Sequence, residues 1–135
     1  MLTSGLPECV GGDESLVRFI TSTSQFNAVM VKPSAFLPNP RDGKTSVFRH
    51  DRDPRAALWQ LAADVIGEQR SVHAVALLTA SDVRAANLEV EAHEPPPRHA
   101  NIIGWPQHFS DPELARAQAK EWATVLAQRS RLLRP

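Results

Sequence analysis

The chain has 135 residues, 42% of them hydrophobic, which is enough for one domain with a substantial core and too little for two. Fifteen basic and fifteen acidic residues cancel, removing the long-range field on which a generic nucleic-acid or anionic-membrane binder relies. Cys9 is the only cysteine, so neither an intrachain disulfide nor a cysteine-based zinc site can form.

No apolar run approaches the roughly 20 residues that cross a bilayer, and the first dozen residues lack a basic stretch followed by a long apolar one. Together these features predict a cytoplasmic protein. Residues 1–14 hold Gly5, Pro7, Gly11 and Gly12 with three acids and no cation, which predicts a flexible leader ahead of a single domain over 15–135. Residues 16–20, Leu-Val-Arg-Phe-Ile, read as a first strand. Residues 28–31 and 34–37 are extended candidates interrupted by Pro33, as suits an edge or a bend. The run Pro38-Asn39-Pro40-Arg41-Asp42-Gly43 signals a turn, with Asp-Gly supplying its left-handed position. Residues 45–49 follow as a strand, so the first third reads as an antiparallel meander closing at Asp42-Gly43.

Asp53 is placed to cap a helix and Pro54 to open it. Leu58, Leu61, Ala62, Val65 and Ile66 then repeat at helical spacing, and Gly67 is a stop signal. Residues 72–79 are nearly all apolar and predict a central strand buried on both faces, with His73 partly buried inside it. Ser81 and Asp82 can cap one helical turn, Asn87 can take the left-handed exit, and residues 88–92 alternate as a strand. Ser110 and Glu113 have capping-box spacing, and a helix should run to about Leu132, ending on arginines that suit its negative terminus. The predicted class is α+β, a mainly antiparallel sheet with the mid-chain and C-terminal helices packed on one face.

Residues 93–106, His-Glu-Pro-Pro-Pro-Arg-His-Ala-Asn-Ile-Ile-Gly-Trp-Pro, form the densest group of chemistry-bearing side chains. Three prolines forbid a helix there, so the stretch reads as an extended loop carrying function. His99 is the candidate acid or base, with Arg98 and Asn101 able to hold an oxyanion or phosphate. A structural reading competes: His99 and Asn101 satisfy loop backbone while Ile102 and Trp105 anchor the loop. His93, His99 and His108 are spaced by six and nine residues, which matches no metal-ligand pattern, so no metal site is expected. Arg49 and His50, at a strand end before a helix, are a second binding candidate, although neighbouring Asp51, Arg52 and Asp53 suit a solvated charge cluster. No phosphate-cradling glycine motif, no Gly-x-Ser-x-Gly and no His-Glu-x-x-His occurs, and no cofactor is expected.

The strand Ser46-Val47-Phe48-Arg49, the helix bearing Trp59 and the run His99-Ala100-Asn101-Ile102-Ile103-Gly104-Trp105-Pro106 together resemble a group of small bacterial proteins of no established activity, over residues 15–131. That resemblance implies a bacterial origin and no particular chemistry. Pro97, His99, Asn101 and Ile102 are also similar to a fragment of ubiquitin-conjugating enzymes, but the cysteine those enzymes need downstream is missing. The expectation is therefore a non-enzymatic binding or accessory module. It would use the 93–106 stretch, with Trp105 as apolar anchor and Arg49, His50, Arg98 and Asn101 as directional contacts, towards a protein or a small phosphorylated ligand. The alternative is a small enzyme on a phosphorylated or nucleotide substrate, with His99 as acid/base and Arg49 and Arg98 as clamps. A third reading is a homo-oligomer built through the alanine-rich C-terminal helix.

Overall fold

The computed structural model describes residues 5–50, 55–67, 70–94, 96–107 and 110–135. Six strands, β1 (Ser15–Ile20), β2 (Thr45–His50), β3 (Ala74–Thr79), β4 (Glu89–Ala92), β5 (His99–Ile103) and β6 (Arg131–Leu133), form one sheet in the order β4-β5-β2-β1-β3-β6. Every pairing is antiparallel. Helices α1 (Arg55–Ile66), α2 (Ala80–Ala85) and α3 (Pro112–Arg129) complete the α+β fold. No helix among the described residues is long and apolar enough to cross a membrane.

Strand alternation sorts the core into two layers. Leu16, Ile20, Val47, Ala74, Ala76, Leu78, Ala100 and Ile102 point to one face, where Val83 of α2 and Ala123 and Leu126 of α3 join them. Val17, Phe19, Phe48 and Val75 point to the other, where Leu58 and Ala62 of α1 cover them. The two long helices therefore lie on opposite faces rather than on one. The cause is legible in β1 and β3, whose residues are apolar on both sides and so need cover on both. On that second face α1 packs against β1, β2 and β3, while Ser46, His99 and Asn101 lie farther along it, towards β4.

The helix ends follow local chemistry. Asp111 Oδ1 accepts the Leu114 amide and Pro112 opens α3, so the cap is Asp111 rather than Ser110. Thr79 and Asp82 exchange side-chain-to-backbone bonds as a capping box at α2. Asn87 leaves that turn at φ 65°, and Gly67 leaves α1 at φ 77° with its amide bonded to Ala63. The expected caps Asp53 and Pro54 lie outside the described residues.

Four further expectations are corrected. Residues 28–31 and 34–37 are not strands: Asn27 Oδ1 accepts the amides of Val29 and Met30 to close a tight turn, and Pro33 opens a 3-10 turn at Pro33–Ala35. The Asp42-Gly43 turn exists, with Gly43 at φ 68°, but it ends a long excursion between β1 and β2 instead of a meander hairpin. The C-terminal helix stops at Arg129, and Arg131–Leu133 becomes an edge strand on β3. His73 is exposed, just ahead of β3.

The leader is tied down from residue 7. Arg49 is 2% exposed. Its guanidinium binds Glu14 through Nε and Nη2, at 2.8 and 2.9 Å, and the Pro7 carbonyl through Nη1 at 2.6 Å. Arg84 holds the Val10 carbonyl at 2.6 Å, and Val10 is buried in the first layer.

Candidate functional site

Within the 93–106 stretch, residues 96–98 turn and His99–Ile103 form a strand, so it is not a loop throughout. The His99 amide bonds the Pro96 carbonyl, and Arg98 has φ 69°. Proline at the second position and a positive φ at the third are the marks of a type II turn. The turn has a consequence for His99. His93 and His99 face each other across β4 and β5, and the His93 amide bonds the His99 carbonyl at 2.9 Å. A regular ladder would return that bond from His99 N to His93 O. Here His99 N is diverted to Pro96, and the His93 carbonyl instead accepts from His99 Nδ1 at 2.8 Å.

That bond fixes the imidazole. Nδ1 also lies 3.2 Å from His93 Nδ1, but a carbonyl can only accept, so the neutral ring that satisfies the shorter bond carries its proton on Nδ1 and presents Nε2 as an acceptor. Nε2 lies 2.7 Å from Ser46 Oγ on β2, so Ser46 donates. The two residues are diagonal neighbours, since Ser46 pairs with Asn101 and Phe48 with His99. Phe48 meets the His99 ring edge-on at 5.2 Å between centroids, and His93 does so from the other side at the same distance. Burial under these rings pushes the His99 pKa below its ordinary value. The His93 carbonyl and Asp42 oppose that shift, and the neighbouring His93 adds to it. The neutral, proton-accepting form is favoured.

Ser46 also lines a polar cleft of about 290 Å³. The cleft exists because β1 and β2 part: their register runs from Ser15↔His50 to Val17↔Phe48 and ends there. Arg18 spans the gap, donating from Nε to the Ala35 carbonyl at 2.9 Å and from Nη1 to the Ser46 carbonyl at 2.8 Å. Lys44, Asn39 and Asp42 of the turn wall the other side, and Asn101 lies beside Ser46. Asn101 is only 5% exposed, yet its carboxamide has no hydrogen-bond partner among the described residues. Among the described residues Trp105 Nε1 is the fully enclosed side-chain polar atom that lacks a partner, so the Asn101 carboxamide keeps its contact with the cleft. An amide that lines a cleft is placed to bind what enters.

The expected site residues thus separate. His99 and Asn101 come together with Ser46. Arg98 and His50 meet elsewhere, in a shallow hollow of about 200 Å³ against α1 with Gln60 and Asp64. Arg49 projects to the opposite face and is consumed by Glu14 and Pro7. Trp105 is 5% exposed, packed in the first core layer with its Nε1 unpartnered, so it offers no exposed anchor. His108 lies outside the described residues. Among the described residues no group of three His, Cys, Asp or Glu side chains could hold a metal ion.

No protein-family model matches the chain, and neither do the curated proteins or the solved structures. Ser46 was the residue that sequence reasoning missed. It is separated from His99 by 53 positions, and only the β2–β5 register joins them.

Proposed function

We propose that this chain is a small cytoplasmic enzyme of bacterial type, in which His99 is the general base for the Ser46 hydroxyl and the substrate is a small phosphate- or carboxylate-bearing molecule. The observation that carries this reading is the relay of Ser46 Oγ, His99 Nε2, His99 Nδ1 and the His93 carbonyl. A hydroxyl is a weak nucleophile until a positioned base takes its proton as it attacks, and the base works best when a third group orients it. Here a backbone carbonyl is that third group. The cleft supplies the rest: Arg18 and Lys44 suit an anion, and the free carboxamide of Asn101 can donate to charge developing on an oxygen beside Ser46. Arg49 is not a clamp in this reading, because both of its faces are already used.

The test is labelling with a fluorophosphonate, followed by mass spectrometry of the intact chain and its peptides. The expected result is one adduct on Ser46, lost in His99→Gln and in Ser46→Ala. No adduct under conditions where control serine enzymes react to completion would reduce the pair to a cross-strand contact. A panel of phosphomonoesters and short carboxylic esters then identifies the transferred group.

The binding-module reading retains one observation in its favour, the hollow where Arg98 and His50 meet beside Asp64. It loses the aromatic anchor it required, since Trp105 is inside the core.

A further inference from the structure

On the other side of Leu37 and Pro38 from the polar cleft lies a second, larger hollow of about 590 Å³, between the 32–38 segment and α3. Its walls are Pro33, Leu37, Pro38 and Ala119, and the polar residues that line it are Lys32, Ser34, Arg116 and Lys120. Arg116 and Lys120 are one turn apart on the same helix face, and Lys32 approaches from the facing segment. Among the described residues no carboxylate lines the hollow. Glu113, one turn earlier on α3, makes no ion pair with any of the three among the described residues. Leu37 is 39% exposed, an apolar surface left uncovered at the rim.

From this arrangement we infer that the groove binds a single-chain anionic amphiphile, with the apolar chain against Pro33, Leu37, Pro38 and Ala119 and the carboxylate head held by Lys32, Arg116 and Lys120. The argument has three parts. Long cationic side chains lay their methylenes along apolar surface and present charge at its edge, which is the shape an amphiphile complements. Three cations without an acid among the lining groups leave a local positive charge that an anion neutralises. The volume falls in the range of small-molecule sites, whereas a protein partner needs roughly 800 Å² of surface from each side. The groove does not depend on Ser46 or His99, so this inference stands or falls apart from the enzyme reading.

The experiment is a calorimetric titration of the full chain with laurate below its micellar concentration, with 1-dodecanol as the uncharged control of equal length. Backbone amide NMR shifts locate the site. Saturable laurate binding is expected, with shifts centred on Leu37 and Ala119, affinity at least tenfold above that of dodecanol, and weakening in high salt. Arg116→Glu with Lys120→Glu should lower laurate affinity at least tenfold. Ala119→Trp, which fills the groove and leaves the charges in place, should abolish binding of both compounds. Dodecanol binding equal to laurate, an unchanged affinity in the charge-reversed protein, or shifts confined to the cleft around Ser46 would each overturn the inference. So would the absence of laurate binding to a folded chain, including the case in which an acidic amphipathic peptide occupies the groove instead.

Discussion

Ser46 Oγ sits 2.7 Å from His99 Nε2 because β2 and β5 are antiparallel neighbours in a register that places the two residues diagonally on one sheet face. The opposite nitrogen of the ring is committed to the His93 carbonyl. These two bonds make a specific statement about proton positions. Nitrogen NMR of the neutral ring should show Nδ1 protonated and Nε2 bare. The reverse tautomer, with Nε2–H pointing at Ser46, would remove the base function.

The titration of the same ring follows from its surroundings. Burial lowers its folded pKa below the ordinary value of about 6.5, so His99 in the folded chain should titrate below that value, read from its ring proton shifts. Because the unfolded chain binds that proton more readily, His99 contributes stability that is fully present above about pH 6.5 and is lost as pH falls through the folded pKa. Labelling of Ser46 should have the same dependence. It should be level near neutrality and fall as the ring charges. A rate that is flat through the measured His99 pKa would mean that another group takes the proton.

Glu14 and Arg49 give a second pH dependence on the other face. Burial raises the Glu14 pKa, but the Arg49 hydrogen bonds, the Gly11 amide and the charges of Arg49 and Arg84 outweigh it, and the net shift is downward. The pair therefore stabilises the fold fully above about pH 4.5 and is lost as pH falls through the lowered folded value. Glu14→Gln leaves a buried guanidinium without its counter-charge, a loss of about 3 kcal/mol in urea unfolding at pH 7. Replacing both partners, Glu14→Leu with Arg49→Met, should recover most of that loss. If the double variant is as unstable as the single one, the leader contact at Pro7 matters more than the charge.

Trp105 tests whether the sequence-level anchor acts through the core. Trp105→Ala removes a large buried side chain and should cost about 3–5 kcal/mol. Trp105→Phe should cost well under half of that, because it also removes the buried Nε1 donor that has no partner. Neither change should abolish Ser46 labelling in the protein that remains folded. Loss of labelling in folded Trp105→Phe would show that the indole shapes the site.

The elements legible in the sequence were those fixed by local chemistry. Helical spacing in 58–66, the apolar run before Thr79, the left-handed Asn87 and the alternation in 88–92 all have their causes within a few residues. What was illegible depended on distant partners. The 93–106 stretch reads as a loop from its prolines, but residues 99–103 are recruited as a strand by β2 and β4 on either side. Arg131–Leu133 has helix-compatible residues and becomes a strand because β3 has a free edge. The same distinction holds for the site. His99 and Asn101 stand out by type, whereas Ser46 is an ordinary strand residue until the register brings it to the imidazole.

Arg98 offers the sharpest test of the turn that sets up His99. Its φ of 69° is a conformation that costs a residue with a β-carbon roughly 1–2 kcal/mol, and glycine adopts it freely. Because its amide is held by the Glu94 carboxylate at 2.6 Å, the side chain is not the only contact at this position. The comparison is therefore between Arg98→Gly and Arg98→Ala, both of which lose the guanidinium. The glycine variant should be the more stable by about 1 kcal/mol, with the His99 Nδ1 bond and Ser46 labelling retained. If the two variants unfold at the same urea concentration, the turn does not hold the left-handed geometry. The diversion of the His99 amide to Pro96, and with it the free His93 carbonyl, would then have to be abandoned.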